Sequence, residues 1–306
     1  MKRPVTYLFL FVAVIGILFS ALLLNKTTVH LAYMTDRNYL PYVETSVYSA
    51  LKNKKTTSFY QIHIIAKDFT NEDIKEIKKL ETPSLKINIY PAKPLNLDLS
   101  HLGRFASFEI SLQKLFIAEY LKNIDKVLYL DADTLVLDDL SKAYQTDIKD
   151  NYVAAVKDGL MYQYPEHIKE IGLAWRGFYF NSGIMLLNLK AIRQDNIINS
   201  ALIYFNTHQE IFGDQDVLNV VFKQKVQPLS YRYNCNSTFF EEKDAAFLSQ
   251  FYGEQVPTPP QKVYETAAVL HFAGHKPWTP YFTHKYLKDL WQTYADKTKE
   301  ILQKKH

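Results

Sequence analysis

Two aspartates, Asp131 and Asp133, directly follow the short apolar run 127–130 (VLYL). In an extended chain, side chains two residues apart point to the same side, so both carboxylates would face one space at the end of a strand. Carboxylate oxygens are ligands for hard divalent cations, which makes this segment a candidate metal site. Turn-forming carboxylates at a solvated strand end are the alternative. A second D-x-D triplet, at 214–216, precedes the apolar run 217–222 and indicates the start of a buried helix.

A possible third ligand, His271, follows the apolar run 267–270 and opens the segment 271–278 (HFAGHKPW). One imidazole with two carboxylates suits Mn²⁺ better than Mg²⁺, which prefers oxygen ligands and water. Lys276, in the same segment, adds a cation of the kind that binds phosphate. A single histidine is more often structural, so the metal hypothesis requires that His271 meet both aspartates in the fold.

The composition excludes several other kinds of site. With 306 residues, 47% of them apolar and 22% charged, the chain is long and apolar enough for a globular domain. A net charge of +4 gives no sign of nucleic-acid binding, and we expect no nucleic-acid partner. The single cysteine, Cys235, excludes an intrachain disulfide and a cysteine-based zinc cluster. Glycine is scarce and no glycine-rich phosphate loop occurs, so phosphate chemistry would need a metal ion and lysines.

The N-terminal segment 6–24 is uncharged and almost wholly apolar. As a helix it would span roughly 28 Å, close to the thickness of the hydrocarbon layer, which predicts one transmembrane anchor rather than a cleaved signal peptide. Lys2 and Arg3 before the segment outweigh Lys26 after it, which places the N-terminus in the cytoplasm and the globular part on the exported or lumenal side. Lysines within 52–55 weaken this bias and leave the opposite orientation open.

The rest of the chain alternates strand-like and helical patterns. Short apolar runs at 29–34, 60–66, 85–90 and 127–130 predict strands, and apolar residues at helical spacing between them predict helices. Such β-α-β repeats imply an α/β fold with a mostly parallel central sheet flanked by helices. Ligands in these sheets bind at the carboxyl ends of the strands, where the first D-x-D triplet falls.

The same patterns predict the domain organisation. A short basic tail (1–5) precedes the anchor, and a linker (25–28) follows it. No Pro/Gly/Ser-rich stretch divides residues 29–283, so we predict one catalytic domain there. Apolar residues at helical spacing from 287 to 294, with lysines beyond them, predict a C-terminal basic amphipathic helix over 284–306. Its lysines would either be a solvated helix end or contact anionic headgroups.

Several motifs together resemble glycosyltransferase family 8, which includes glycogenin and the bacterial lipopolysaccharide galactosyl- and glucosyltransferases. In chain order they are Asp36-Arg37-Asn38-Tyr39, Asp131-Ala132-Asp133, Asn181-Ser182-Gly183, Asp214-Gln215-Asp216-Val217-Leu218-Asn219, and His271-Phe272-Ala273-Gly274 followed by Lys276-Pro277-Trp278. The resemblance implies a GT-A nucleotide-sugar-binding fold, a manganese ion and a UDP-hexose donor, with glucose or galactose as the expected hexose. It further implies a hexosyltransferase that acts on a hydroxyl of a glycan or glycolipid with retention of anomeric configuration.

Position by position, the resemblance also implies roles for individual residues. Asp131, Asp133 and His271 would be the metal ligands, and Gln215 and Asp214 the residues at the reacting carbon. The residues implied to bind the cofactor and donor are Met34, Thr35, Asp36, Asn38, Lys114, Asp131, Ala132, Asp133, Asn181, Ser182, Gly274 and Lys276. The chain departs from many relatives in one respect, because a single residue, His275, separates Gly274 from Lys276 where two are usual.

The implied reaction leaves negative charge on UDP, so stabilisation of the leaving group should supply most of the catalysis. Gln215 is a weak nucleophile and Asp214 is the alternative, which favours a front-face route without a covalent intermediate. Two other functions stay open. One is a UDP-sugar-binding protein with little turnover, and the other is a metal-dependent phosphatase, whose D-x-D-x-T/V motif is matched only in part because Leu135 stands at its fifth position.

Overall fold

A seven-stranded mixed sheet and a separate two-stranded ribbon organise the protein. The structure, a computed structural model, describes residues 27–95, 97, 109–173, 178–208, 213–222, 225–241 and 244–304. The strands in these ranges are β1 (Thr27–Asp36), β2 (Ser58–Lys67), β3 (Leu85–Pro91), β4 (Lys126–Leu130), β5 (Thr134–Val136), β6 (Val153–Lys157), β7 (Phe180–Asn188), β8 (Val226–Pro228) and β9 (Val269–His271). The large sheet has the order β3-β2-β1-β4-β7-β6-β8, and the ribbon pairs β5 with β9.

The sheet is mixed because β7 runs antiparallel to both of its neighbours. Strands β1 to β4 pair in parallel, as the β-α-β repeats predict, and β6 pairs in parallel with β8. The pairs β4–β7 and β6–β7 are antiparallel. The seven described strands are thus mostly parallel, as predicted, and the sheet is mixed because β7 is reversed. Strands buried on both faces give a continuous apolar run in either direction, so the pattern does not encode strand direction.

Helices cover both faces of the sheet. They are α1 (Leu40–Asn53), α2 (Asn71–Lys78), α3 (Glu109–Leu112), α4 (Ile117–Tyr120), α5 (Ser141–Tyr144), α6 (Pro165–Glu170), α7 (Leu189–Gln194), α8 (Ile197–Thr207), α9 (Gly213–Phe222), α10 (Ser237–Glu241), α11 (Ala245–Tyr252) and α12 (Lys285–Lys304). A 3₁₀ turn, Gln113–Phe116, separates α3 from α4. Helix α2 begins at Asn71, and the preceding residue, Thr70, forms a capping box with Asp73.

The two faces of the sheet bury separate hydrophobic clusters. Leu31 and Tyr33 of β1 belong to one cluster, while Ala32 and Met34 belong to the other. This alternation follows from the two-residue period of a strand. Helix α12 packs its apolar face, which includes Trp291, into the first cluster. Both faces of the strands are therefore covered, and the carboxyl ends of β1 and β4 are the places where polar side chains meet.

The expectation of a membrane anchor is corrected by the structure. The predicted span 6–24 and the tail 1–5 lie outside the described residues. Of the helices that the structure does describe, none has both the length and the apolar character needed to cross a bilayer. The predictions of an N-terminal transmembrane helix, a membrane partner and a single-pass membrane protein therefore have no support in the described part of the chain.

A buried carboxylate, Asp139, joins the chain after β5 to the start of β2. Its Oδ2 accepts hydrogen bonds from the Lys55 amide (2.8 Å), Ser58 Oγ (2.8 Å) and the Tyr60 hydroxyl (3.1 Å), and its Oδ1 accepts from the Ser141 amide (3.0 Å). Burial alone would raise the pKa of Asp139, but hydrogen bonds from Ser141, Lys55 and Ser58 outweigh burial and hold the pKa below its usual value. The carboxylate form is therefore the one that stabilises this junction.

We expect Asp139→Asn to lower the free energy of unfolding by about 1–3 kcal/mol at neutral pH, because the new amide presents an NH₂ group to donors. The stabilisation by a carboxylate of depressed pKa is complete above its unfolded pKa of about 4 and is lost as the pH falls through the folded value. Urea titrations of wild type and variant should therefore differ at neutral pH and converge in acid. The exposed Asp150→Asn is the control and should match wild type throughout. A difference that does not depend on pH would contradict this account.

Candidate active site

A cavity of about 430 Å³ lies at the carboxyl ends of β1 and β4, next to the start of α9. All predicted site residues except Asn38 and Gly274 line it, namely Met34, Thr35, Asp36, Lys114, Asp131, Ala132, Asp133, Asn181, Ser182, Asp214, Gln215, His271 and Lys276. Asn38 and Gly274 are exposed. Their chain neighbours Tyr39 and Ala273 line the cavity in their place.

The ribbon of β5 and β9 brings His271 to the two aspartates. Thr134, which directly follows Asp133, is paired with His271 in this antiparallel ladder. The Phe272 amide continues the contact by donating to the Asp133 carbonyl at 3.0 Å. Cross-strand partners lie side by side, so the pairing fixes the imidazole next to the D-x-D triplet.

The three candidate ligands converge. His271 Nε2 lies 3.6 Å from Asp131 Oδ2 and 3.4 Å from Asp133 Oδ1, and one ligand atom from each residue falls within 4.8 Å of the others. Asp133 Oδ1 is buried and has no hydrogen-bond partner within the described residues. A buried, unpartnered carboxylate oxygen is costly unless something compensates it. The donor set and the unpartnered oxygen fit a divalent cation.

Lys114 connects the two acidic motifs. Its Nζ lies 3.0 Å from both Asp131 Oδ1 and Asp214 Oδ2, and only 4% of its side chain is exposed. Burial alone would lower the pKa of Lys114, but the two carboxylates outweigh burial and raise the pKa, so the ammonium stays charged. The Tyr129 hydroxyl also donates to Asp131 Oδ1, at 2.5 Å. Asp131 is thereby held from two sides.

Lys276 pairs with the other aspartate of the triplet. Its Nζ contacts Asp133 Oδ2 and donates to the Phe272 carbonyl at 2.8 Å. Burial alone would raise the pKa of Asp133, but the Lys276 ammonium holds the pKa below its usual value. The loop is anchored by Trp278, which stacks on Tyr42 of α1 with a centroid separation of 3.8 Å. The loop therefore brings Lys276 to the cavity although it has one residue fewer between Gly274 and Lys276 than many relatives have.

Among the described residues that line the cavity, acidic side chains outnumber basic ones. Four carboxylates (Asp36, Asp131, Asp133 and Asp214) face two lysines (Lys114 and Lys276), a difference of two negative charges. One divalent cation would neutralise them. The arrangement thus suits a metal ion together with an anionic ligand that the lysines can contact.

The far end of the cavity is a network of polar side chains around the start of α9. Ser182 donates from its amide to Gln215 Oε1 (3.0 Å) and from its hydroxyl to Asp214 Oδ2 (2.9 Å). Gln215 Nε2 donates to Asp158 Oδ2 at 2.9 Å. Both ends of the Gln215 amide are therefore occupied, and Asp214 is paired with both Ser182 and Lys114.

Sequence reasoning missed two residues of this network, Asp158 and Asn234. Asp158 directly follows β6, as Asp131 follows β4, so a polar residue at a strand end was the available signal. Asn234 had no such signal. Two residues later, Asn236 begins the triplet Asn-Ser-Thr, which is the pattern of an N-glycosylation acceptor. Asn236 is buried with 3% exposure, so it is not at the surface.

Gly183 of β7 lies directly against His271. A Cβ atom at position 183 would overlap with the imidazole ring, so the glycine is needed for the close approach of β7 to this ligand. The third residue of the Asn-Ser-Gly motif is therefore a glycine because the His271 ring packs against it.

Comparisons with known proteins agree with this geometry. The sequence model of the family described as "Glycosyl transferase family 8" matches residues 30–281. A putative glycosyltransferase of Haemophilus influenzae is 31% identical over 224 residues, 69% of this chain and 64% of that protein. General stress protein A of Bacillus subtilis is 29% identical over 287 residues, 88% of this chain and 94% of that protein. A lipopolysaccharide 1,2-glucosyltransferase of Escherichia coli is 27% identical over 267 residues, 83% of this chain and 74% of that protein.

Solved structures show the same fold. The galactosyltransferase LgtC, crystallised with donor and acceptor sugar analogues, superposes with a TM-score of 0.66 at 23% identity, covering 88% of this chain and 95% of that chain. Glycosyltransferase GlyE of Streptococcus pneumoniae superposes with a TM-score of 0.68 at 22% identity, covering 91% of this chain and 63% of that chain. The predicted GT-A-like α/β fold is confirmed, with β7 as the reversed strand of a mostly parallel sheet.

We expect Gly183→Ala to weaken binding of a divalent cation about ten- to a hundredfold, because the added methyl group displaces the His271 ring, and changes beside a ligand have effects of this size. Isothermal titration of the purified protein with Mn²⁺ measures the dissociation constant. Thermal unfolding in the presence of a chelator checks that the variant is folded. A folded Gly183→Ala protein that binds Mn²⁺ as tightly as wild type would contradict the packing role given to this glycine.

Proposed function

The chain belongs to glycosyltransferase family 8, and we propose that it is a retaining, Mn²⁺-dependent hexosyltransferase. It transfers glucose or galactose from a UDP-sugar to a hydroxyl group of a glycan or glycolipid. The observation that carries the proposal is the convergence of Asp131, Asp133 and His271 at the edge of a cavity that two lysines also line. The names of relatives support the sugars: one is a lipopolysaccharide 1,2-glucosyltransferase and another a galactosyltransferase.

Asp131, Asp133 and His271 would hold the metal ion. A set of two carboxylates and one imidazole favours Mn²⁺ over Mg²⁺. When bound, the ion supplies positive charge to the diphosphate as UDP leaves. Two of the three ligands have separate supports in the protein, because Lys114 and Tyr129 hold Asp131 and the β5–β9 ribbon holds His271.

The two lysines have different tasks. Lys114 is enclosed between two carboxylates and keeps the acidic motifs together. Lys276 sits on a loop with 21% of its side chain exposed, and its contact is to an oxygen of Asp133. Lys276 can therefore exchange that carboxylate for a phosphate oxygen of the donor, which makes it the residue that stabilises the leaving group.

The uridine would bind at the end of β1. Met34, Thr35 and Asp36 line the cavity there, and Asp36 Oδ1 accepts from the Tyr39 amide at 3.1 Å. That contact folds the turn after β1 so that Tyr39, rather than Asn38, lines the cavity. We therefore assign Tyr39 to the donor site in place of Asn38, and Ala273 in place of Gly274.

The polar network favours a front-face reaction. A double-displacement route needs a free carboxylate beneath the anomeric carbon. Gln215 is an amide bonded at both ends, and Asp214 is bound by Lys114 and Ser182. In the front-face route the acceptor hydroxyl attacks from the side on which UDP leaves, and Gln215 acts by position rather than as a nucleophile.

A donor screen tests the proposed activity. With Mn²⁺ and no acceptor, we expect slow hydrolysis of UDP-glucose or UDP-galactose, measured as UDP release by chromatography and abolished by EDTA. Asp133→Asn should lower the rate about 10²- to 10³-fold, because it removes one charged group from the stabilisation of the leaving UDP. The exposed Asp150→Asn is the matched control and should hydrolyse donor at the wild-type rate.

Other outcomes of the screen would overturn the proposal. Wild-type turnover by a folded Asp133→Asn protein would contradict the metal assignment. Tight UDP-sugar binding without any hydrolysis or transfer would favour the binding-protein alternative. Release of phosphate from a simple phosphate ester, with no need for UDP, would favour a phosphatase.

We expect no covalent glycosyl-enzyme in this reaction. Intact-protein mass spectrometry after acid quenching, with donor and Mn²⁺ present and acceptor absent, should show only the mass of the unmodified chain. Protein without donor is the reference. A species heavier by one hexose, mapped by peptide analysis to Asp214 or to any other side chain, would overturn the front-face route.

A further inference from the structure

Four buried polar residues form one chain of hydrogen bonds that starts at the candidate metal ligand. His271 Nδ1 bonds to Asn234 Oδ1 (2.9 Å), Asn234 Nδ2 donates to Asn181 Oδ1 (2.9 Å), and Asn181 Nδ2 donates to Asp158 Oδ2 (3.0 Å). Asn234 is fully buried and the other three are at most 8% exposed. We call these four residues the relay.

The direction of the relay is fixed by groups that have a single hydrogen-bonding role. A carboxylate only accepts, so Asn181 must turn its NH₂ group toward Asp158. A backbone amide only donates, and the Gly183 amide donates to Asn181 Oδ1 at 3.0 Å. The orientation of the Asn181 side chain is therefore set independently at both ends. Asn234 must then present its NH₂ group to Asn181, which leaves its own oxygen for His271.

This direction determines which nitrogen of His271 carries a proton. Asn234 Oδ1 is an acceptor, so Nδ1 must be the protonated nitrogen. The Nε2 atom is then the one available as a ligand, and it is the atom that lies 3.4 Å from Asp133 Oδ1 and 3.6 Å from Asp131 Oδ2. A histidine that binds a metal commonly donates its other N–H group to an acceptor that fixes the ring.

The same carboxylate oxygen also orients the residue at the sugar end of the cavity. Asp158 Oδ2 accepts from Gln215 Nε2 at 2.9 Å, and Gln215 Oε1 is bound by the Ser182 amide. Asp158 is itself held in place, because its Oδ1 accepts from the Leu160 amide at 2.9 Å. One buried carboxylate therefore sets the orientation of both His271 and Gln215.

We propose that Asp158, Asn181 and Asn234 are positioning residues that hold His271 with its Nε2 lone pair directed at the metal site and connect that ligand to Gln215. The proposal rests on the metal-dependent function proposed above. It also gives Asn181, whose amide nitrogen and oxygen both bond within the relay, a role in supporting the metal ligand in addition to its place at the cavity.

The tautomer of His271 can be measured without any metal. In long-range ¹H–¹⁵N correlation spectra of the metal-free protein, we expect His271 to carry its proton on Nδ1 in wild type and in Asn234→Asp, which keeps an acceptor at the same place. Asn234→Ala removes the acceptor, and we expect the Nδ1 proton to be lost in favour of Nε2. The exposed His275 is the internal reference and should not change. A His271 signal that is the same in wild type and Asn234→Ala would overturn the proposal.

Metal affinity gives the second measurement. We expect Asn234→Ala to raise the dissociation constant for Mn²⁺ about ten- to a hundredfold. The matched control is Asn188→Ala at the far end of β7, where the side chain caps α7 by accepting from the Ala191 amide at 3.0 Å. This control loses stability without touching the relay, so it should bind Mn²⁺ like wild type. Equal weakening in both variants would overturn the proposal.

Asp158→Asn tests the far end of the relay. The three described groups that form hydrogen bonds with this carboxylate are donors, so an asparagine must turn its NH₂ group toward one of them. We expect weaker Mn²⁺ binding in this variant, and wild-type affinity would show that the relay does not extend to Asp158. If wild type binds no Mn²⁺, the proposed function fails, while the tautomer measurement still decides the proposal about the relay.

Discussion

The pairing of two three-residue strands, β5 and β9, is the contact on which the site depends. The strands lie far apart in the sequence, and their ladder sets His271 opposite Thr134, immediately after the D-x-D triplet. The ribbon is fully buried through Leu135, Val136, Val269 and Leu270, so it cannot slip by one residue without exposing apolar side chains. On the other side of β9, the backbone of Cys235 forms a parallel β-bridge with Leu270, and this pairing brings the neighbouring Asn234 to the imidazole of His271. One small ribbon thus positions a ligand and the residue that orients it.

Charge repulsion is the cost of this arrangement, and the two lysines offset it in different ways. The four carboxylates that line the cavity would repel each other and raise one another's pKa values. Lys114 lies between Asp131 and Asp214 and is also 5.1 Å from the centre of the Tyr129 ring, so its surroundings are rigid. Lys276 is held by fewer contacts, on a loop that Trp278 anchors to α1. Lys114 therefore holds the carboxylates in place, while a phosphate can replace the carboxylate partner of Lys276.

The sequence predicted those parts of the structure that local patterns determine. The strands at 29–34 and 60–66, the carboxylates at the end of β4 and the closing helix are short-range features, and the ordered motifs led to the family and to most of the residues that line the cavity. The direction of β7 and the contacts of Asn234 depend on pairings between distant segments, which no local period encodes. The membrane prediction, which rested on the apolar run 6–24, finds no support among the described helices.

The closed polar network has a consequence for how the protein distinguishes sugars. The amide of Asn181 and that of Gln215, the hydroxyl of Ser182 and the carboxylate of Asp214 already bond to each other or to Asp158, so their orientations are set before a donor arrives. A sugar hydroxyl can therefore bond only to the lone pairs that these hydrogen bonds leave free. Otherwise it must replace one of these hydrogen bonds with an equivalent one. Glucose and galactose place one hydroxyl differently, and the wrong placement leaves a buried polar group unpaired, which costs far more than a lost apolar contact. Under the proposed function, discrimination between hexoses would therefore come from the rigidity of the network rather than from the identity of any one residue in it.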